Sequence, residues 1–90
     1  MTFEWDERKR IKNLAKHGID FVDVPEAFED RSAITYRSAV SSGEERFLQI
    51  GRVDFRVIAV VFVRRGTVLR IISARRARRD ERRRYEDQKS

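Results

Sequence analysis

The sequence predicts an α+β domain: two N-terminal helices, then a four-stranded antiparallel sheet, then a C-terminal helix. Two observations carry the prediction. Over residues 6–30 apolar side chains recur at helical spacing, and from 33 to 73 the period shortens to that of strands, broken by turn residues. Helices segregated from a meander of strands make the α+β class. The 90 residues, 10.7 kDa, fit one domain, 1–90. A chain of this size buries roughly 60–65% of the surface it exposes unfolded, enough for one modest core.

Asp6 is a helix N-cap with Glu7 in the first turn, and Gly18 is a stop after Lys16 and His17. The first helix is therefore read as 6–17, with Ile11, Leu14 and Ala15 at helical spacing. A second, short helix ends near Asp30. It starts either after Asp20, where Pro25 removes one early hydrogen bond, or after Asp23, where Pro25 falls in the first turn at little cost. Residues 33–39, with Ile34, Thr35 and Tyr36, form a weak strand, Ser41–Gly43 a turn, and 45–53 a second strand. Asp54 marks a tight turn. Residues 56–64 are almost all Val, Ile, Ala and Phe, the pattern of a central strand buried on both faces. Arg65 and Gly66 turn the chain into a fourth strand, 67–73. Residues 77–88 have helical propensity but can anchor only through Ala77 and Tyr85, so that helix is largely exposed or covered by a partner.

The net charge is +6, from 21 Lys plus Arg against 15 Asp plus Glu, and 17 of the cations are Arg. It is unevenly placed. From Arg64 to Arg84 ten arginines face only Asp80 and Glu81, while residues 1–63 and 85–90 each carry a net −1. An Arg-rich segment of this kind is the electrostatic footprint of a polyanion binder, because the planar guanidinium matches phosphate. The composition also excludes. With no Cys there is no disulfide framework and no thiolate chemistry, which suits the cytoplasm, and with one His there is no Cys/His zinc site. No apolar run reaches membrane-spanning length, and Met1–Asp6 has no signal-peptide pattern. The P-loop, the dinucleotide fingerprint and the metalloprotease helix are all missing, and no clear helix-turn-helix or RNA-recognition signature appears.

A basic domain without a standard reading motif is left with phosphate contact or phosphate chemistry. RNA carries its own nucleophile, the 2′-hydroxyl. Cleavage then needs a group to take that proton, a donor to the leaving 5′ oxygen, and cations for the charge developing on the phosphate. None of these requires a metal or a cofactor. His17, Glu44 or Glu45, Lys16 and several Arg meet the need; His is the residue type that changes charge near neutrality. Arg70 sits in an otherwise apolar strand, so it needs a partner or opens to a cleft. Arg75 and Arg76 follow the last strand, where a helix begins, a common place for phosphate contacts.

The segment Phe3-Glu4-Trp5-Asp6-Glu7, with Asn13, Lys16, His17, Gly18, Phe21 and Phe28, resembles the opening of the BrnT family of type II toxins. Glu45-Arg46 with Ile50-Gly51 is similar too. The strongest match is Arg70-Ile71-Ile72-Ser73-Ala74-Arg75-Arg76-Ala77, followed by Glu81, Arg82 and Tyr85, and the likeness runs over essentially the whole chain. It implies a RelE-like fold and a ribonuclease toxin that arrests growth by cleaving RNA without a metal. It also implies a BrnA-type ribbon-helix-helix antitoxin in a hetero-oligomer, with operator DNA contacted through the antitoxin and transcription autoregulated. The matched polar positions are Lys16, His17, Glu45, Arg46, Arg64, Arg75, Arg76 and Tyr85. Three positions depart from the pattern. Pro25 interrupts the second helix, Arg78 stands where a Ser or Thr cap is expected (Asp80 would take over), and Arg84 occupies a spot that is often apolar.

On this reading His17 or Glu45 acts on the 2′-hydroxyl proton, Arg46, Arg64, Arg75 and Arg76 hold the phosphate, and Lys16, Arg70 and Tyr85 bind substrate; no residue is assigned to a metal, and no membrane is involved. The rival is a non-catalytic nucleic-acid-binding or partner-docking module that uses residues 64–84 as its whole function.

Overall fold

The computed structural model describes residues 1–41 and 43–89. Its elements are β1 (Thr2–Trp5), α1 (Glu7–His17), a 3-10 turn (Phe21–Asp23), α2 (Pro25–Glu29), β2 (Ile34–Ser41), β3 (Glu44–Val53), β4 (Arg56–Arg65), β5 (Val68–Arg76) and α3 (Arg79–Lys89). The strands lie in the order β1-β5-β4-β3-β2. Strands β2 to β5 are the expected antiparallel meander, with two N-terminal helical elements before it and a helix after it, the RelE-like arrangement. The structure adds a fifth strand. β1 pairs parallel with β5, Phe3 opposite Leu69 and Glu4 opposite Arg70. A four-residue strand whose partner lies some 66 positions away leaves no local pattern to read.

Local chemistry sets the helix ends. The Asp6 carboxylate accepts the Arg8 N–H at 2.8 Å, and Gly18 takes a left-handed φ of 70° while its N–H closes on the Leu14 carbonyl at 2.9 Å. Both helix starts open to the sequence exist. Asp20 caps the 3-10 turn by accepting the Val22 N–H at 3.1 Å, and Pro25 then opens α2, where its missing N–H costs nothing. For α3 the cap is not Asp80. Glu81 accepts the Arg78 N–H at 2.7 Å, as the acid three residues inside a helix does in a capping box. Arg84 lies 5.4 Å from the centre of the Tyr36 ring, which accounts for a cation at an apolar spot. Within the expected Ser41–Gly43 turn, Ser42 lies outside the described residues.

The sheet is covered on both faces. On one, Ile58, Val60, Phe62, Leu69 and Ile71 pack against Phe21, Val24 and Ala27, with Phe3, Trp5, Phe28 and Phe47 around them. Here Gly51 lets α2 approach, since a methyl group at that position would overlap the Ala27 carbonyl. On the other face Tyr85 and Ala77 close over Ile50 and Ala59, beside Ile34, Tyr36, Leu48 and Val57. β4 is the middle strand and is buried from both sides, as its composition requires. Among the described residues no helix is long and apolar enough to cross a membrane.

The packing of α1 differs from its apolar spacing. Ile11 and Leu14 are 57% and 41% exposed, while Asn13 is buried and Arg10 and His17 are half-buried. The inward face is therefore polar. The reason is what α1 meets: the edge of β5, whose backbone offers hydrogen-bonding groups rather than apolar side chains.

Candidate nucleic-acid interface

The side of the sheet that carries α3 stays open toward β1 and β5. A row of residues crosses it. Phe47 pairs with Phe62, so Arg46 stands opposite Val63; Val63 pairs with Arg70, and Arg70 with Glu4. The Arg70 guanidinium meets the Glu4 carboxylate at 2.8 Å, which answers the charge expected to need a partner in that strand. In the next row Arg65 donates twice to Glu44, at 3.1 and 3.3 Å, and the Arg65 guanidinium holds the Glu44 carboxyl below the usual carboxylate range.

β5 is bulged at this place. Val61 pairs with Ser73 but Phe62 pairs with Ile71, leaving Ile72 extra. Ile71 and Ala74 both point into the core under α2, so Ile72 and Ser73 both turn to the open side. They line a groove of about 200 Å³ together with Lys9, Lys12, Asn13, Lys16 and His17 of α1. The three lysines recur at helical spacing and have no ion pair among the described residues. Arg70 precedes Ile72–Ser73 along the strand by two residues and Arg75 follows by two, so roughly 7 Å of backbone separates each arginine from the groove floor. Arg75 lies under α3, donating to both Glu81 carboxylate oxygens at 2.8 and 3.0 Å. That fork, with the Arg78 N–H, holds the Glu81 carboxyl low against the opposing effect of burial.

Lys16, His17, Arg46 and Arg70 thus share the open side, and Arg75 lies on the same face under α3. The other sequence-derived candidates do not join them. Arg64 extends the opposite, α2 side of β4, its guanidinium carbon 4.6 Å from the centre of the Phe47 ring and 5.9 Å from that of Phe62. Glu45 is bound to Arg37 at 2.7 Å, and with Arg64 it lines a separate pocket of about 370 Å³. Arg76 lies at the far end of β5 in a cleft with Arg52, Arg56 and Arg82. Tyr85 is 1% exposed and donates its hydroxyl to Asp30 at 2.6 Å, which anchors α3.

Four residues of the open side escaped notice as site residues. Lys9 and Lys12 were legible from their spacing with Lys16. Ser73 depends on the bulge and Glu4 on the β1–β5 pairing, and neither leaves a sequence signal.

The arrangement offers a half-buried imidazole beside a serine hydroxyl, a lysine stripe and an arginine row, a set suited to holding a phosphodiester and moving a proton. A search of the curated proteins returns no match to the chain. The family model for the ribonuclease toxin BrnT of type II toxin–antitoxin systems matches residues 5–81 of the 90, from the end of β1 into the first turn of α3. With most of its length inside that match, the chain belongs to the BrnT family of ribonuclease toxins.

Proposed function

We propose that this toxin is a metal-independent endoribonuclease that cuts RNA on the open side of the sheet, in the cytoplasm, by attack of the substrate's own 2′-hydroxyl. His17 accepts the 2′-hydroxyl proton. The oxygen then attacks the adjacent phosphorus, the bond to the 5′ oxygen breaks, and that oxygen departs as an alcohol after taking up a proton, leaving a 2′,3′-cyclic phosphate. Arg46, Arg70 and Arg75, with Lys16, carry the charge that develops on the phosphate. The observation that carries this reading is the β5 bulge, which turns Ile72 and Ser73 outward and so sets the His17 groove in line with Arg70 and Arg75. It favours His17 over Glu45, which lines the separate pocket with Arg64. Among the described residues no three His, Cys, Asp or Glu side chains gather to hold a metal.

The partner is a BrnA-type ribbon-helix-helix antitoxin, which covers the basic surface in a hetero-oligomer and through its own dimer contacts operator DNA. The test is expression without antitoxin, followed by growth curves and mapping of RNA ends. Growth arrest with new ends carrying cyclic phosphate, unchanged by EDTA, is the expected result. Normal growth with intact RNA overturns the proposal, and activity lost to EDTA assigns the chemistry to a metal. Salt-dependent RNA binding without new ends would leave a binding module.

A further inference from the structure

The end of the sheet that carries the β3–β4 turn holds a second concentration of charge, which shares no lining residue with the His17 groove. Four arginines from four elements line one cleft of about 420 Å³: Arg52 of β3, Arg56 of β4, Arg76 of β5 and Arg82 of α3, with Glu86 the single acid on its wall. Arg65, Arg70 and Arg75 are matched to carboxylates. Here Arg76 and Arg82 are exposed and have no carboxylate partner among the described residues, while Arg56 reaches the Gly18 carbonyl at 3.4 Å. Like charges brought together from four elements repel one another unless an anion enters between them. Phe55 lines the same cleft from the tip of the turn and is 82% exposed. A bare aromatic face beside unpaired guanidinium groups is the pairing that binds single-stranded nucleic acid, with the ring stacking on a base and the cations on its phosphates.

We propose that this cleft is a second RNA-contacting subsite, in which Arg76 and Arg82 hold a phosphate of single-stranded RNA and Phe55 stacks on a base. Arg52 and Arg56 supply the positive field around it. The cleft lies one residue past Arg75 along β5, at the sheet end beside α3, so it grips the strand beyond the cleavage point. The inference rests on RNA being the substrate of this toxin, but its test does not depend on cleavage.

The probe is a fluorescent 2′-O-methyl oligoribonucleotide of about eight nucleotides, which has no free 2′-hydroxyl and stays intact, titrated by anisotropy at several salt concentrations. The double variant Arg76→Ala/Arg82→Ala is expected to weaken binding about tenfold or more and to lower the salt slope by about 0.7, one single-strand phosphate contact. Phe55→Ala is expected to weaken binding about 5- to 100-fold for this probe and to leave an abasic probe of the same length unaffected. All three positions are exposed, so thermal midpoints matching the parent verify the fold. Unchanged affinity and salt slope in the double variant overturn the subsite. So does a Phe55→Ala loss that is equal for the abasic probe. Variants that keep the oligonucleotide but lose the antitoxin assign the cleft to the antitoxin and overturn it as well. Unmodified RNA left intact by the parent protein strikes the ribonuclease reading alone.

Discussion

Asn13 and Ala74 are joined by a reciprocal pair of hydrogen bonds: the Asn13 Nδ2 donates to the Ala74 carbonyl at 2.8 Å, and its Oδ1 accepts the Ala74 N–H at 3.1 Å. One carboxamide thereby does what a neighbouring strand would do. β1 pairs with β5 only as far as Ile71, and beyond that point Asn13 of α1 closes the strand edge. The same Nδ2 also donates to the Ile19 carbonyl at 2.9 Å. This clamp holds α1, and with it the His17 groove, against β5.

Replacing Asn13 by Ala strips three buried backbone groups of their partner. The expected cost is about 2–4 kcal/mol, because an unsatisfied buried polar group is far more expensive than a hydrogen bond is worth. Urea unfolding measures it. A cost under about 0.5 kcal/mol would mean that water replaces the carboxamide.

Gly51→Ala should disrupt the seat of α2. The new methyl group meets the Ala27 carbonyl, a backbone group in the helix that cannot swing aside. Overpacking of this kind costs about 1–3 kcal/mol, and the variant should melt lower with α2 displaced. An unchanged thermal midpoint would show that α2 moves freely.

Stability should fall in acid and in alkali. Burial alone would raise the Asp30 carboxyl, but donors from Tyr85, Ser32 and Arg52 hold it below its ordinary 3.8. The Arg75 fork does the same for Glu81, whose ordinary value is 4.5. Groups lowered on folding stabilise fully above their unfolded values and lose that contribution as pH falls through the folded ones, so the thermal midpoint should drop below pH ~4. Burial first, and then Asp30, raise the Tyr85 hydroxyl above 10.0; its contribution is present below that value and lost above it. Tyr85→Phe should cost about 1–2 kcal/mol and remove its share of the alkaline loss. A midpoint flat from pH 3 to pH 7 would show that these carboxylates do not act as described.

Activity should follow the two sides of the sheet. Arg46→Ala is expected to slow RNA cleavage about 10²-fold or more, as loss of a cation on the transition state does. His17→Ala should cost about 10²–10⁴. Arg64→Ala, whose guanidinium packs on Phe47 on the other side, should stay within about threefold of the parent. Single-turnover cleavage of one RNA reads all three. A large loss at Arg64 with none at Arg46 would move the reaction to the Glu45–Arg64 pocket.

The sequence by itself determined the order of elements, the caps at Asp6 and Gly18, the buried middle strand and the concentration of arginine after Val63. All of these rest on local patterns: period, turn chemistry and charge along the chain. The tertiary structure decided which charged residues meet. Ten arginines in one segment read as one surface, yet alternation, the β5 bulge and the turn into α3 distribute them over the open side, the α2 side and the far cleft. Tyr85 and Arg75 are drawn under α3 by Asp30 and Glu81, and Arg70 is matched by Glu4 across 66 positions. Such pairings are long-range, and a one-residue bulge reverses which face a side chain takes, so only the folded chain specifies them.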